Sequence, residues 1–178
     1  MTRRTIAWHR LLPRHRRLLV WWIIAGLGVA GPWAMQLLSR PSASSGEPCR
    51  VTRISDGDTI RATCQGEALR VRLYCIDAPE TDQHPWGADS TEHLRRITPT
   101  TIGLVRHNTD RYGRVIGELF DGETSLNLAM VRVGQAAVYP QYCSDPAYFS
   151  AERAAKSAGL GIWRTPGLHQ RPWEWRRR

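Results

Sequence analysis

Turn signals cut residues 50–79 into pieces too short for anything but a tightly folded sheet. Arg50 to Ser55 (RVTRIS) alternates polar and apolar, as a strand with one buried face does. Asp56-Gly57-Asp58 is a tight-turn sequence, Thr59 to Thr63 (TIRAT) a returning strand, and Gln65-Gly66 turns the chain into Ala68–Ile76. Pro79 stops that third strand, because it has no N–H for a ladder and biases Ala78 toward extended geometry. Thr101 to His107 (TIGLVRH) and Arg114 to Phe120 read as two further strands, joined by the turn Asn108–Gly113. A helix is expected from Ser90 through Ile97, and another over Ser125–Val133, where Leu126, Ala129, Met130 and Val133 recur at helical spacing. A third runs from Asp145 to Ala158, with Asp145 as cap, Pro146 in the first turn and Gly159 as stop. Five meandering strands with about three helices predict an α+β, mainly β domain: a small closed barrel of the OB type.

Ahead of that domain stands a segment of different character. Leu18 to Leu38 runs 21 residues without a formal charge, and about 20 such residues span a hydrocarbon core. Gly26, Gly28, Gly31 and Pro32 weaken it as a soluble core helix, while Trp21, Trp22 and Trp33 suit the membrane interface. The expectation is a single transmembrane signal-anchor over 18–38. Residues 1–17 then stay cytoplasmic, because their arginines precede the span, and everything after the linker 39–48 is exported. The alternative is a cleaved signal sequence with a site near Ser42-Ala43-Ser44, which would release the domain. Seven arginines of residues 1–40, unaccompanied by Asp or Glu, account for most of the formal +9, so residues 41–178 carry only +2. The basic pI therefore belongs chiefly to the N-terminus and does not by itself make the domain a polyanion binder.

The cysteines agree with export. There are four, Cys49, Cys64, Cys75 and Cys143, with no C-x-x-C pair and no histidine at zinc spacing. Cys49 and Cys64 flank the first hairpin and would sit nearly opposite each other, which leaves Cys75 for Cys143. Four reduced, buried thiols is the reading that a cytoplasmic domain would favour instead.

Chemistry concentrates at the end of the third strand. Arg72-Leu-Tyr-Cys-Ile-Asp77-Ala-Pro-Glu80 sets one guanidinium and two carboxylates at a strand mouth. A carboxylate there can hold a hard cation, a second can act as a base, and an arginine can grip phosphate. Asp56-Gly57-Asp58-Thr59 and Asp110-Arg-Tyr-Gly-Arg114 add further carboxylates and another arginine beside tight turns. His84, His93 and His107 show no ligand spacing to one another.

Together these three segments resemble the staphylococcal (thermo)nuclease-like domain family, in order and spacing, over residues 50–165. Leu126-Asn127, Val131-Arg132-x-Gly134, the Tyr139/Tyr142 segment and Gly161-Ile-Trp163 extend the resemblance. It implies a calcium-dependent nuclease acting on DNA or RNA and leaving 3′-phosphate and 5′-hydroxyl ends. Asp58 and Asp77 would hold Ca²⁺ with the backbone carbonyl of Ala78, Glu80 would be the general base, and Arg72 and Arg114 the phosphate-binding arginines. Arg111, Tyr112 and Tyr139 would contact the nucleic acid. A non-catalytic, membrane-tethered nucleic-acid-binding module is the alternative. No protein partner is implied. In the tail, 166–178, Trp173 and Trp175 are expected to pack on the barrel, and Arg176, Arg177 and Arg178 to form a solvated end.

Overall fold

The structure is a computed structural model and describes residues 45–178. Its central element is a closed five-stranded barrel of β1 (Glu47–Ile54), β2 (Thr59–Cys64), β3 (Glu67–Leu73), β5 (Thr101–Thr109) and β6 (Val115–Asp121). The strand order is β3-β2-β1-β5-β6, and a parallel pairing of β3 with β6 (Val71 opposite Val115, Leu73 opposite Gly117) closes the ring. The connectivity is therefore not the simple meander expected. After β3 the chain leaves the barrel, forms a helix, and returns to pair β5 with the far side of β1. Alternation sets the faces: Ile60, Ala62, Cys64, Leu69, Val71 and Leu73 point inward and are buried, while Arg61 and Arg70 point outward.

The third strand ends earlier than its composition suggests. Tyr74 and Cys75 form a turn, with Cys75 at φ +68°, and the chain resumes as β4 (Ile76–Asp77), paired with β8 (Ala137–Val138). Breaking the strand there takes Asp77 off the barrel wall and aims it across the barrel's end. Asn127 stabilises that turn. Its Nδ2 donates to the carbonyls of Tyr74 (3.0 Å) and Gly117 (3.1 Å), and its Oδ1 accepts from the Leu119 N–H (3.1 Å). One buried side chain thus ties the turn to β6 and bonds three backbone groups, of which the Gly117 carbonyl also accepts from the Tyr74 N–H at 2.8 Å.

Four α-helices are present among the described residues: α1 (Trp86–Ile97), α2 (Leu126–Arg132), α3 (Pro146–Ser157) and α4 (Pro172–Trp175). Ser125 caps α2, accepting from the Leu128 N–H, and a two-residue strand β7 (Thr124–Ser125) precedes it. Asp145 caps α3 with Pro146 in the first turn, as the sequence indicates. Helix α1 differs: it starts at Trp86 behind Pro85, not at Ser90. Ser90 is fully buried and donates to the Gln135 carbonyl at 2.7 Å, so it fastens α1 to the segment after α2.

Both cysteine pairs are at bonding distance, Cys49–Cys64 at 1.98 Å and Cys75–Cys143 at 1.97 Å. The first crosses the β1–β2 hairpin, and the second ties the turn before β4 to the segment before α3. The expected membrane-spanning helix over 18–38 lies outside the described residues. Among those, no helix is long and apolar enough to cross a membrane.

Candidate active site

At the barrel's end, the β1–β2 turn, the β3–β4 turn and the loop after β4 converge on Arg72. Its Nη2 lies 2.6 Å from Asp77 Oδ1 and 3.1 Å from Asp58 Oδ2, and its Nη1 donates to the carbonyls of Ile76 (2.9 Å) and Leu73 (3.1 Å). Both Nη groups therefore have protein acceptors. Arg72 first of all builds the site, and only its Nε–H remains without an acceptor among the described residues. Asp58 is fixed further by the Ala78 N–H on Oδ2 (2.7 Å) and the Thr59 hydroxyl on Oδ1 (3.1 Å). Its own backbone carbonyl accepts from the Leu73 N–H at 2.8 Å. Asp58, Arg72, Asp77, Ala78 and Glu80, separated in sequence, are brought together as expected.

Glycine is required between Asp56 and Asp58 for space. A Cβ on Gly57 would stand 2.0 Å from Ser90 Oγ and 2.7 Å from the Ala78 Cβ, so the turn packs directly on α1 and on the loop after β4. Glu80 is held by its backbone: its N–H donates to Gln83 Oε1 (2.8 Å), and its carbonyl accepts from the Gln83 N–H (2.9 Å). Its carboxylate remains about one-third exposed and faces the cleft.

Arg114, Arg111 and Tyr112 line the same cleft, of about 970 Å³. The Asp110 carboxylate organises their turn, accepting from the Tyr112 and Arg114 N–H groups (both 2.9 Å) and from Arg114 Nε (2.7 Å). That grip through Nε leaves both Nη groups of Arg114 free of carboxylates among the described residues, the geometry a phosphate-gripping fork needs. Tyr112 is 68% exposed, with the guanidinium groups of Arg111 and Arg114 over its ring. His107 stacks on Tyr74 at 4.0 Å and adds a flat wall. Tyr139 also reaches the cleft, but its ring is stacked against Trp173 at 5.3 Å. The four cysteines lie outside the cluster, although Cys75 borders the cleft.

Two participants were not recognised from sequence. Asp56 is a further carboxylate of the cleft, which its place in the Asp-Gly-Asp turn could have signalled. Arg176, expected in a solvated end, instead pairs with Asp77 (3.1 and 3.0 Å) and with Glu80 Oε1 (2.5 Å). Nothing in the local sequence marks it; the tail is folded back by Trp173 on Tyr139 and by the Trp175 indole N–H on Asp82 (3.2 Å). The two tryptophans thus pack against the segment after β8 and the loop after β4.

The electrostatics are those of closely spaced, partly buried carboxylates interleaved with guanidinium groups. Burial, then the neighbouring Asp58 carboxylate, push Asp77 up to about 6 against the pull of Arg72 and Arg176. Burial and Asp58 likewise push Asp56 up to about 6. Asp56, Asp58, Asp77 and Glu80 face Arg72 and Arg176, while Arg114 is matched by Asp110. With Arg70 and Arg111, which also line the cleft, arginines and carboxylates balance in number, and the all-oxygen set of Asp56, Asp58, Asp77 and Glu80 is of the type a hard divalent cation takes. The carboxylates are not drawn together as a bare metal cage. Among the described residues the one set of three ligand atoms within 4.8 Å is Glu47, Cys49 and Cys64, and its thiols are used in a disulfide. At the barrel's end, guanidinium groups stand between the acids: Arg72 Nη2 bridges Asp58 and Asp77, and Arg176 takes both oxygens of Asp77.

A small barrel with an acid-and-arginine cleft at its end is the architecture of a nucleic-acid-processing domain. The family model described as "Staphylococcal nuclease homologue" matches residues 70–165. A Haemophilus influenzae protein named "Uncharacterized endonuclease" is 37% identical over 131 residues, covering 72% of each chain. An Escherichia coli protein of the same name is 35% identical over 150 residues, covering 83% of this chain and 96% of its own. A Shigella flexneri protein named "Micrococcal nuclease" is 36% identical over 139 residues, covering 71% and 79% respectively. The chain belongs to the staphylococcal nuclease family.

Proposed function

We propose that this chain is a hydrolytic nuclease that cleaves phosphodiester bonds of DNA or RNA with calcium, leaving 3′-phosphate and 5′-hydroxyl ends. The observation that carries this reading is the convergence of Asp58, Arg72, Glu80 and Arg114 on one cleft, with the fully buried Asp77 bonded to Arg72. The named activities of the bacterial relatives support it.

Glu80 is the general base: its carboxylate is about one-third exposed, is anchored through its backbone by Gln83, and would take a proton from water once Arg176 releases its Oε1. Arg114 presents its free Nη groups to the non-bridging phosphate oxygens, where negative charge grows as the pentavalent state forms. Arg72 holds the two aspartates in place and offers its Nε–H. Asp58, Asp77 and the Ala78 carbonyl are the oxygens that would hold calcium, whose charge offsets that of the phosphate. Tyr112 supplies a flat exposed ring for a base, and Arg111 a nearby cation for the backbone.

The full chain, in detergent, should cleave DNA or RNA with calcium and stop with chelator. Glu80→Gln should keep the fold and lose about 10²–10⁴ in rate. Metal-independent binding with no metal-dependent cleavage would instead favour a capture module. The uncharged run 18–38 supports a membrane-tethered placement with the domain outside the cytoplasm, and the two cysteine pairs agree with an oxidising compartment. Recovery of an unshortened chain in the membrane fraction tests the tether, and a soluble, shortened product would point to cleavage and release.

A further inference from the structure

The outward face of β1, β2 and β3 carries arginines in direct register. Arg53 lies opposite Arg61, and Arg61 opposite Arg70. Arg50 stands one outward row away, opposite Thr63, and Arg72 is the next outward position of β3 after Arg70. Like charges directly opposite on a sheet are destabilising. Ion pairing does not relieve them here: among the described residues none of Arg50, Arg53, Arg61 and Arg70 takes part in a salt bridge. The neighbouring strand shows the contrast, since Arg106 on β5 is matched by Glu47 and Glu67. Nor is this a general surplus of charge, because residues 41–178 carry only +2. The cations are segregated onto one face.

That face is continuous with the cleft. Arg70 lines it together with Arg72, so the row runs from the active site outward across three strands, about 10 Å at the usual strand spacing. The other outward residues of the face, Thr52, Thr63 and Ala68, are small. It carries no aromatic or large apolar side chain to enter a bilayer, which favours a hydrated polyanion over a lipid surface.

We propose that Arg53, Arg61 and Arg70 form a phosphate track that holds the part of a nucleic-acid strand flanking the scissile bond. Guanidinium forks would grip successive phosphates irrespective of sequence, setting the strand's direction into the cleft. The proposal rests on the nuclease reading, for which the cleft end of the track holds the bond to be cut.

The test uses the full chain with Glu80→Gln, so that binding is read without cleavage. Anisotropy of a long single-stranded oligonucleotide is followed against salt, with and without Arg53→Thr, Arg61→Thr and Arg70→Thr combined. The slope of log K against log salt should flatten by about 2, the counterions of three phosphates. The matching Arg→Lys triple, which keeps the charges, should retain most of it. With Glu80 restored, the ratio of kcat/KM on the long strand to that on a dinucleotide should fall in the threonine triple. An unchanged slope and ratio would overturn the track, as would a loss confined to binding of phosphatidylserine vesicles. A wild-type chain that shows the arginine-dependent slope yet cleaves neither substrate would keep the track and sink the nuclease reading.

Discussion

Arg176 and Asp77, 99 residues apart in sequence, form a two-point ion pair in which each Nη meets one carboxylate oxygen, at 3.1 and 3.0 Å. Asp77 is fully buried, and Arg72 already holds its Oδ1. The aspartate is thus shared between two guanidinium groups, one rigid and one carried on the tail.

Calcium and Arg176 are therefore expected to compete for the same oxygens. Arg176→Gln should tighten calcium binding by up to about fivefold, the factor returned by a part-exposed pair worth ~1 kcal/mol. Titration calorimetry on the full chain checks this. A weaker affinity in the variant would show that Arg176 helps to build the cation site.

Gly57 is expected to be intolerant of even one methyl group. Its Cβ would stand 2.0 Å from Ser90 Oγ and 2.7 Å from the Ala78 Cβ. Gly57→Ala should cost about 1–3 kcal/mol of stability, as overpacking does, and should loosen calcium binding by moving Asp58. Chemical denaturation read beside calorimetry tests both parts, and a variant as stable as the parent would contradict the packing account.

Asn127→Ala should destabilise by about 1–3 kcal/mol, the usual cost of stranding a buried polar group. The Leu119 N–H and the Tyr74 carbonyl lose the Asn127 side chain, while the Gly117 carbonyl loses one of two donors and keeps the Tyr74 N–H. Hydrogen exchange should quicken at Leu119 and in the turn leading to Asp77 before it does elsewhere. Uniform quickening across the barrel would argue against a local role.

The partly buried carboxylates set an unusual pH dependence for the metal-free chain. Asp56 and Asp77 are pushed up from 3.8 to about 6, so the folded state favours their protonated forms. Their contribution to stability is complete below the unfolded value of 3.8 and is lost as pH rises through about 6. In chelator, the thermal midpoint of the wild type should therefore drop more between pH 5 and 7 than that of Asp77→Asn. Parallel curves for the two proteins would refute the assignment. Calcium should restore more stability at pH 7 than at pH 5, since protons no longer compete for the same oxygens.

Much of this was legible in the chain because local chemistry and tertiary structure agree there. Asp-Gly-Asp makes a hairpin wherever it lies between strands, and Asp145-Pro146 starts a helix by capping. Arg72, Asp77 and Arg114 sit in or beside strand ends, where side-chain direction follows from the pleat, and Asp58 and Glu80 lie in the adjoining turn and loop. What stayed hidden depends on long-range packing. Strand β3 breaks at Tyr74 because Asn127 holds the turn from 53 residues away, a contact no periodicity can signal. Ser90 has the composition of a cap yet is buried against Gln135, since Trp86 starts α1 earlier. The closing of β3 on β6 is likewise a tertiary event, written in no single segment.

The folded-back tail has a practical bearing on how such a protein is handled. Arg178 follows by two positions a residue that touches Asp77 and Glu80, and Trp173 lies flat on Tyr139. A purification handle or reporter fused after Arg178 would pull on that packing and disturb the ion pairs of Arg176 with Asp77 and Glu80. Constants measured on C-terminally tagged material would then describe the fusion, and a comparison with untagged protein is the control that separates the two.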